Sequence, residues 1–505
     1  MYKNNSSKTY NSVRNTIWGF ALKLIGLLLP FVTRTLLIYY LGAEYLGLNS
    51  LFTSLLQILS LSELGIGGAM VYYMYEPFAK GDTAKICALL SLYRKLYNYI
   101  GIVITTLGLL LFPFLDYFIE GDTPRDINIS ILYLIYLFNT SISYFLFSYR
   151  RSLFIANQRS DIESKSLIAA NSLMYLGQIC GIIIFDNYYI YAIAIPFSTI
   201  FNNIYIYYAS RKFYPEIRCQ GILGNEVKSG MIKKVKALFG HKVGGVITTS
   251  ISNIVVSSFL GLTALAIFNN YYYIILLLGG FMDIFFNSIR ASVGFSMVEN
   301  SKSKNLDNFQ FLQFINGWCT SLCALCYFCL IQPFMQIWVG QSLMFNTHTV
   351  ILFTVLLYIW NIRKVSLVYK DATGNWEADW LKPYIESALN FTLSILLAHH
   401  MGVNGVILSS VVCMLLIDLP WETYVLNKVS FNTSWWILIK AWIPVSVFFL
   451  VLIPLIQYML SLFQSENWFA FILKALICLS APNMIFILLF KKSPYIKRIF
   501  SIIHK

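Results

Sequence analysis

Charged residues are scarce in this chain. They make up 12% of its 505 residues, against 58% hydrophobic, and mean hydropathy is +0.66. That composition excludes a soluble globular protein, which would show too much apolar surface to water. Also missing is any polar stretch long enough to fold as a separate soluble domain. No Gly-x-x-x-x-Gly-Lys-Ser/Thr phosphate loop occurs, so ATP is not the energy source within this chain. The nine cysteines fall mostly in apolar stretches, and no disulfide framework is implied. Four of them, Cys319, Cys323, Cys326 and Cys329, share one broad helix face. One helix cannot wrap four thiolates tetrahedrally around zinc, so they read as buried thiols and no metal site is expected. A short, uncharged leader is lacking too. The first apolar stretch is long and carries Lys23 and Arg34, so it reads as a retained membrane helix.

What is present is a series of fourteen apolar spans between residues 14 and 490, each long enough for the roughly 20 residues a membrane crossing needs. The chain is therefore expected to be an all-α polytopic membrane protein. Of the 37 Lys and Arg residues, 31 fall at the termini and in every second connection, the longest being 210–237. The opposite connections hold Arg125 alone, and five lie inside spans. Positive residues mark the cytoplasmic side, so both termini are expected there. The net charge of +14 thus reads as topology and contact with anionic membrane lipids, and nucleic acid is excluded as a partner.

The chain also repeats itself. Shifted by 219 residues, Arg14 falls on Lys233, Lys23 on Lys242, Gly26 on Gly245, and Leu41-Gly42 on Leu260-Gly261. Further on, LLLFPFLDYFIEG (109–121) matches FCLIQPFMQIWVG (328–340), and IANQ (155–158) sits near ATGNW (372–376). Residues 1–222 and 223–430 then form two six-span lobes, and 431–505 adds two spans and a cytoplasmic tail. Six is even, so the lobes share one orientation, related by an axis along the membrane normal. Repeat-built transporters of that kind work by alternating access.

The stretch RTLLIYYLGAEYLGLNSLFTSLLQILSLSELGIGGAMVYYMYEPFAKGD (34–82) resembles the start of bacterial polysaccharide-repeat-unit flippases of the Wzx type. These belong to the multidrug/oligosaccharidyl-lipid/polysaccharide exporter superfamily. YLG-x-EYLGL and ELGIG carry the resemblance, and local motifs weaken after residue 160. The resemblance implies a V-shaped pair of six-helix lobes around a cationic cavity, in the bacterial cytoplasmic (inner) membrane. It implies a substrate too: an oligosaccharide on undecaprenyl pyrophosphate, moved from the inner to the outer leaflet. A polysaccharide polymerase and other biosynthetic proteins would be partners.

A charge at mid-membrane costs about 2.5–3.5 kcal/mol on insertion scales unless paired or hydrated. Lys23 and its repeat mate Lys242 would face one another across the pseudo-dyad and hold a pyrophosphate as point charges; alternatively, Lys242 snorkels to the interface. Arg34 lies eleven residues above Lys23, on the same helix face. It forms either a second rung for the anionic head group or a contact to outer-leaflet phosphates. Arg290, at the base of the eighth span, is a candidate for the inner mouth. Glu63 and Asp283 occupy nearly equivalent depths in the second and eighth spans. Each either neutralises a lysine on a neighbouring helix or binds a coupling proton or Na+. No cofactor is expected. Gly65, Gly67 and Gly68 form a patch that allows close helix approach or local unwinding. A drug or lipid II exporter of the same superfamily remains an alternative, although basic residues in the spans favour an anionic substrate. A membrane polymerase or ligase needs a large outer catalytic loop, and the largest outer connection, 119–126, is too short, so no enzyme activity is expected.

Overall fold

The computed structural model describes residues 8–63, 66–121, 123–374, 379–463 and 467–503. Within them, the side chains of 8–10, 12, 62, 225–228, 232–245, 247, 248, 291, 429, 502 and 503 are not described. The chain divides into two compact units, Met1–Ala266 and Ile267–Lys505. This division by packing places the seventh span with the first unit, so it does not coincide with the repeat boundary at 222/223.

Unit 1 begins with α1 (Lys8–Tyr40), α2 (Ala43–Leu59), α3 (Ile66–Lys80) and α4 (Thr83–Leu111). It continues with α5 (Ile129–Phe145), α6 (Arg151–Ala156), α7 (Ser160–Ile183), α8 (Tyr188–Phe213) and the first part of α9 (Asn225–Ser288). Helix α1 packs along α7, α7 along α8, and α5 against both α4 and α8. Side-chain oxygens start several helices by accepting the first free backbone N–H groups. Asp82 accepts from Lys85 N, Asn128 from Ile131 N, and Asn187 from Tyr189 N and Ile190 N.

The rest of α9 opens unit 2, followed by α10 (Arg290–Glu299), α11 (Lys302–Val339), α12 (Thr347–Ile362) and α13 (Lys364–Thr373). Then come α14 (Lys382–Met401), α15 (Val403–Cys413), α16 (Leu419–Leu426) and α17 (Trp435–Ile439). The unit ends with α18 (Ile443–Ser461), α19 (Trp468–Phe490) and α20 (Pro494–Ile503). Helix α11 is its spine, packing on α12, α18 and α19. The amphipathic α20 returns to the start of α11, where Arg498 pairs with Asp307 at 2.9 Å and lies over the Phe311 ring.

Among the described residues, ten helices are long and apolar enough to cross a membrane, and the bent pair α5 and α6 makes an eleventh. The remaining three of the fourteen spans are α14, the α2–α3 segment, and the part of α9 before Gly261. Helix α9 is one element only by hydrogen bonding, since Gly261 at φ 85°, ψ 174° breaks it into two helices. The second span is interrupted: a tight 3-10 turn over Ser60–Glu63 ends it, and the helix resumes at Ile66. The glycine patch lies at this break, with Gly65 outside the described residues.

The chain turns at left-handed residues, and these recur at a fixed interval. Gly42 and Gly261 are separated by 219 residues, as are Gly121 and Gly340, and all four have positive φ (124°, 85°, 81° and 82°). Gln158 and Gly374 (57° and 69°) are separated by 216 residues, as are Asp186 and Gly402 (46° and 57°). Glycine suits six of these eight positions because a Cβ disfavours positive φ.

Candidate functional site

The break in the second span exposes a polar interior. Unit 1 encloses a cavity of about 700 Å³, lined from α3 through α8. Glu63, at the end of the 3-10 turn, stands on its wall. Tyr97 donates to Glu63 Oε1, Tyr144 donates to Oε2 at 2.6 Å, and Tyr93 donates to the Tyr97 hydroxyl at 2.8 Å. Tyr93 and Tyr97 lie one helical turn apart on α4, so both hydroxyls reach the same place. The sequence analysis offered Glu63 a lysine or a cation. The partners found for this carboxylate are neutral phenols.

The rest of the wall mixes amides and hydroxyls with apolar side chains, among them Val71, Ile155, Leu167 and Met174. Thr199 donates to Asn139 Oδ1 at 2.7 Å, Ser166 donates to Asn202 Oδ1 at 2.6 Å, and Ser198 donates to Ala170 O at 2.9 Å. These bonds fix the side chains of α5 and α8 around the space. Glu163 and Arg151 face it from α7 and α6, with Glu163 in the field of the guanidinium.

Where α1 and α7 begin, unit 1 carries an ion cluster on Asp161, which is fully buried. Arg14 (3.1 Å), Arg159 (3.0 Å) and Lys165 (3.4 Å) all reach its carboxylate. Asn15 accepts from Asp161 N and donates to Gln158 O. The start of α1 is thereby tied to the turn before α7.

Unit 2 handles its charges differently. Arg363, between α12 and α13, reaches Asp418 at 2.7 Å and Glu422 at 2.6 Å. Lys382, at the start of α14, reaches the same two acids, and Glu386 sits beside Asp418. Arg363, Lys382, Asp418 and Glu422 are all buried. The helix widens to a π-turn over Met414–Asp418 before α16, and Asp418 and Glu422, four residues apart, both reach the cations. Asp283 pairs with Lys364, whose Nζ also donates to Gly279 O at 2.9 Å. Arg290 bonds Asp371 at 3.0 Å and Asn287 at 2.6 Å and is about half exposed. The unit also carries an apolar groove of about 280 Å³ between α11, α12 and α18, lined by Leu325, Phe449, Leu450 and Ile453 among others.

Of the remaining candidate residues, Lys23 is exposed and Arg34 half-buried on α1. Lys242 lies outside the described side chains, so the expected Lys23–Lys242 pair falls there too. Asn253, the repeat mate of Arg34, is buried and donates to Ser54 Oγ of α2 at 2.8 Å. No expectation from the sequence joined Arg363 to Asp418 and Glu422. The signal available was two acids at i,i+4 in an apolar span, a pairing that calls for buried cations.

One similar solved structure is described as "Lipid II flippase MurJ, inward closed conformation": 17% identity, 95% of this chain and 99% of that one, TM-score 0.72. An inward-facing multidrug resistance MATE transporter matches at 13% identity, over 81% of this chain and 96% of its own, with TM-score 0.62. A MOP superfamily transporter from Pyrococcus furiosus, described as having a binding pocket of reverse polarity, matches at 13% identity over 84% of this chain and 96% of that one, TM-score 0.57. No curated protein sequence matches the chain. The profile of the family described as "Polysaccharide biosynthesis protein" matches residues 12–289, more than half of the chain. The chain belongs to that family.

Proposed function

We propose that this protein is a flippase that moves an oligosaccharide linked to undecaprenyl pyrophosphate from the inner to the outer leaflet of the cytoplasmic membrane by alternating access, for surface polysaccharide biosynthesis. The observation that carries the reading is the family match across residues 12–289. The confinement of Lys and Arg to alternate connections supports cytoplasmic termini. Lys23, Lys242, Arg34 and Arg290 are assigned to the pyrophosphate, as the cations that a membrane-embedded anion requires. Glu63 is the better candidate for a coupling proton or Na+, because its partners are neutral. The carboxylate of Asp283 is already matched by Lys364.

The test uses cells whose own repeat-unit flippase has been removed. Expression of this chain restores surface polysaccharide, and Lys23→Glu abolishes the rescue while leaving folded protein in the membrane. Wild-type chain that leaves lipid-linked repeats in the inner leaflet would sink the reading. In cells that have lost this chain itself, single repeats accumulating outside would instead mark a polymerase. Export of lipid II is a second reading, favoured by the extent of the fold likeness to MurJ. It is distinguished by rescue of cells depleted of their lipid II flippase.

A further inference from the structure

We infer that the cavity inside unit 1 is a glycan subsite, which receives an uncharged, hydroxyl-rich sugar of the lipid-linked substrate. The inference rests on the flippase reading and adds where the sugar sits and what chemistry it carries. A volume of about 700 Å³ is within the roughly 300–1,000 Å³ of ligand pockets, but those are mostly apolar. This wall is not. Asn202 and Ser198 are each more than nine-tenths buried and face the space, with Asn139, Asn171 and Thr199 beside them. Among the described residues, the Arg151 Nε is buried without a hydrogen-bond partner.

Three ligand classes fail against that wall. A polyprenyl chain would desolvate the Glu163 carboxylate and the Arg151 guanidinium, whose Nε has no hydrogen-bond partner, and answer neither. A pyrophosphate or an acidic sugar would meet two carboxylates, Glu63 and Glu163, against one guanidinium. An aromatic cation would answer the carboxylates but not the amides. A neutral pyranose offers donors and acceptors all round its ring, and its C–H face fits an aromatic side chain. Tyr75 stands half exposed at the rim and Tyr144 on the wall, each with an apolar body and a polar tip.

Full-length protein in detergent is titrated with glucose, galactose, mannose, rhamnose, N-acetylglucosamine, N-acetylgalactosamine and glucuronic acid. Unfolding temperature and tyrosine fluorescence are read. At least one neutral sugar gives a saturable shift in both, and glucuronic acid gives none. Asn171→Leu weakens the neutral sugar by about tenfold, as expected for an unmade buried hydrogen bond, and binds undecaprenyl pyrophosphate as wild type does. No response to any neutral sugar, or an equal response to glucuronic acid, overturns the subsite. So does unchanged sugar binding in Asn171→Leu. If that variant does not fold, the wild-type sugar series decides alone. Failure of the flippase reading has a different signature: sugar binding intact, with no export by the wild-type chain.

Discussion

The two units solve the same problem, a charge inside an apolar bundle, in opposite ways. Arg150 of unit 1 lies between α5 and α6, and Arg363 of unit 2 lies between α12 and α13. Arg150 is held by the Ser210 hydroxyl at 3.0 Å and by the faces of Tyr207 and Tyr149 at 5.2 and 5.9 Å. Arg363 is held by two carboxylates. The acids follow the same rule: Glu63 takes tyrosine hydroxyls, whereas Asp418 and Glu422 take Arg363 and Lys382. The cavities differ in the same direction, about half polar in unit 1 and almost wholly apolar in unit 2. Asp161, with its three cations, is the exception in unit 1, and it ties α1 to the turn before α7. Neutral partners can be exchanged without stranding an opposite charge. Buried ion pairs cannot, because breaking one leaves its partner uncompensated. Unit 1 is therefore the half built to change its partners, and unit 2 the half built to keep them.

The sharpest test replaces these two arginines. Arg363→Met leaves Asp418 and Glu422 short of a cation, and removing one member of a buried pair costs about 3–5 kcal/mol. Little folded protein should be recovered in detergent. Arg150→Met loses one hydrogen bond and two ring contacts, about 1–2 kcal/mol together. That protein should be recovered with a lower unfolding temperature. Equal losses at the two sites would erase the distinction between the units.

Glu63→Gln comes next. An amide accepts from Tyr97 and Tyr144 through its oxygen but offers one acceptor where the carboxylate offers two, so the stability change should be about 1 kcal/mol. Export should respond more than stability does, losing its dependence on the proton or sodium gradient. Gradient-dependent export in this variant would remove Glu63 from coupling and make its tyrosine cage a packing feature.

Much of this contrast was hidden in the sequence. The duplication was legible, because Gly42 and Gly261 mark turns that only a few residues tolerate, and a shift of 219 superimposes them. The break in the second span was legible as a glycine patch, though its start at Ser60 was not. The tyrosine cage was not legible, since Tyr97 and Tyr144 lie 34 and 81 residues from Glu63. Tyrosines are also too common in this chain, at 34, for two of them to stand out. The Arg363 cluster was half legible. Asp418 and Glu422 announce a buried partner, but Arg363 is 59 residues away from Glu422 and resembled the other arginines at inner helix ends.

The smallest effect concerns the turn after the fourth and tenth spans, where the lobes share a backbone shape but not a residue. Gln158 has φ 57° and Gly374 has φ 69°. A side chain in the left-handed region costs about 1–2 kcal/mol, while glycine loses more freedom on folding, by about 0.5–1 kcal/mol. Gln158→Gly should therefore stabilise by a few tenths to about 1 kcal/mol, since Asn15 bonds the backbone carbonyl of Gln158 and that contact survives. Gly374→Gln should destabilise by a similar amount, because open space lies beside its Cβ position and only the backbone term acts. Unfolding temperatures of the two variants should thus move in opposite directions. If Gln158→Gly lowers stability instead, the glutamine side chain contributes something beyond its backbone conformation, and the two turns are alike in shape only.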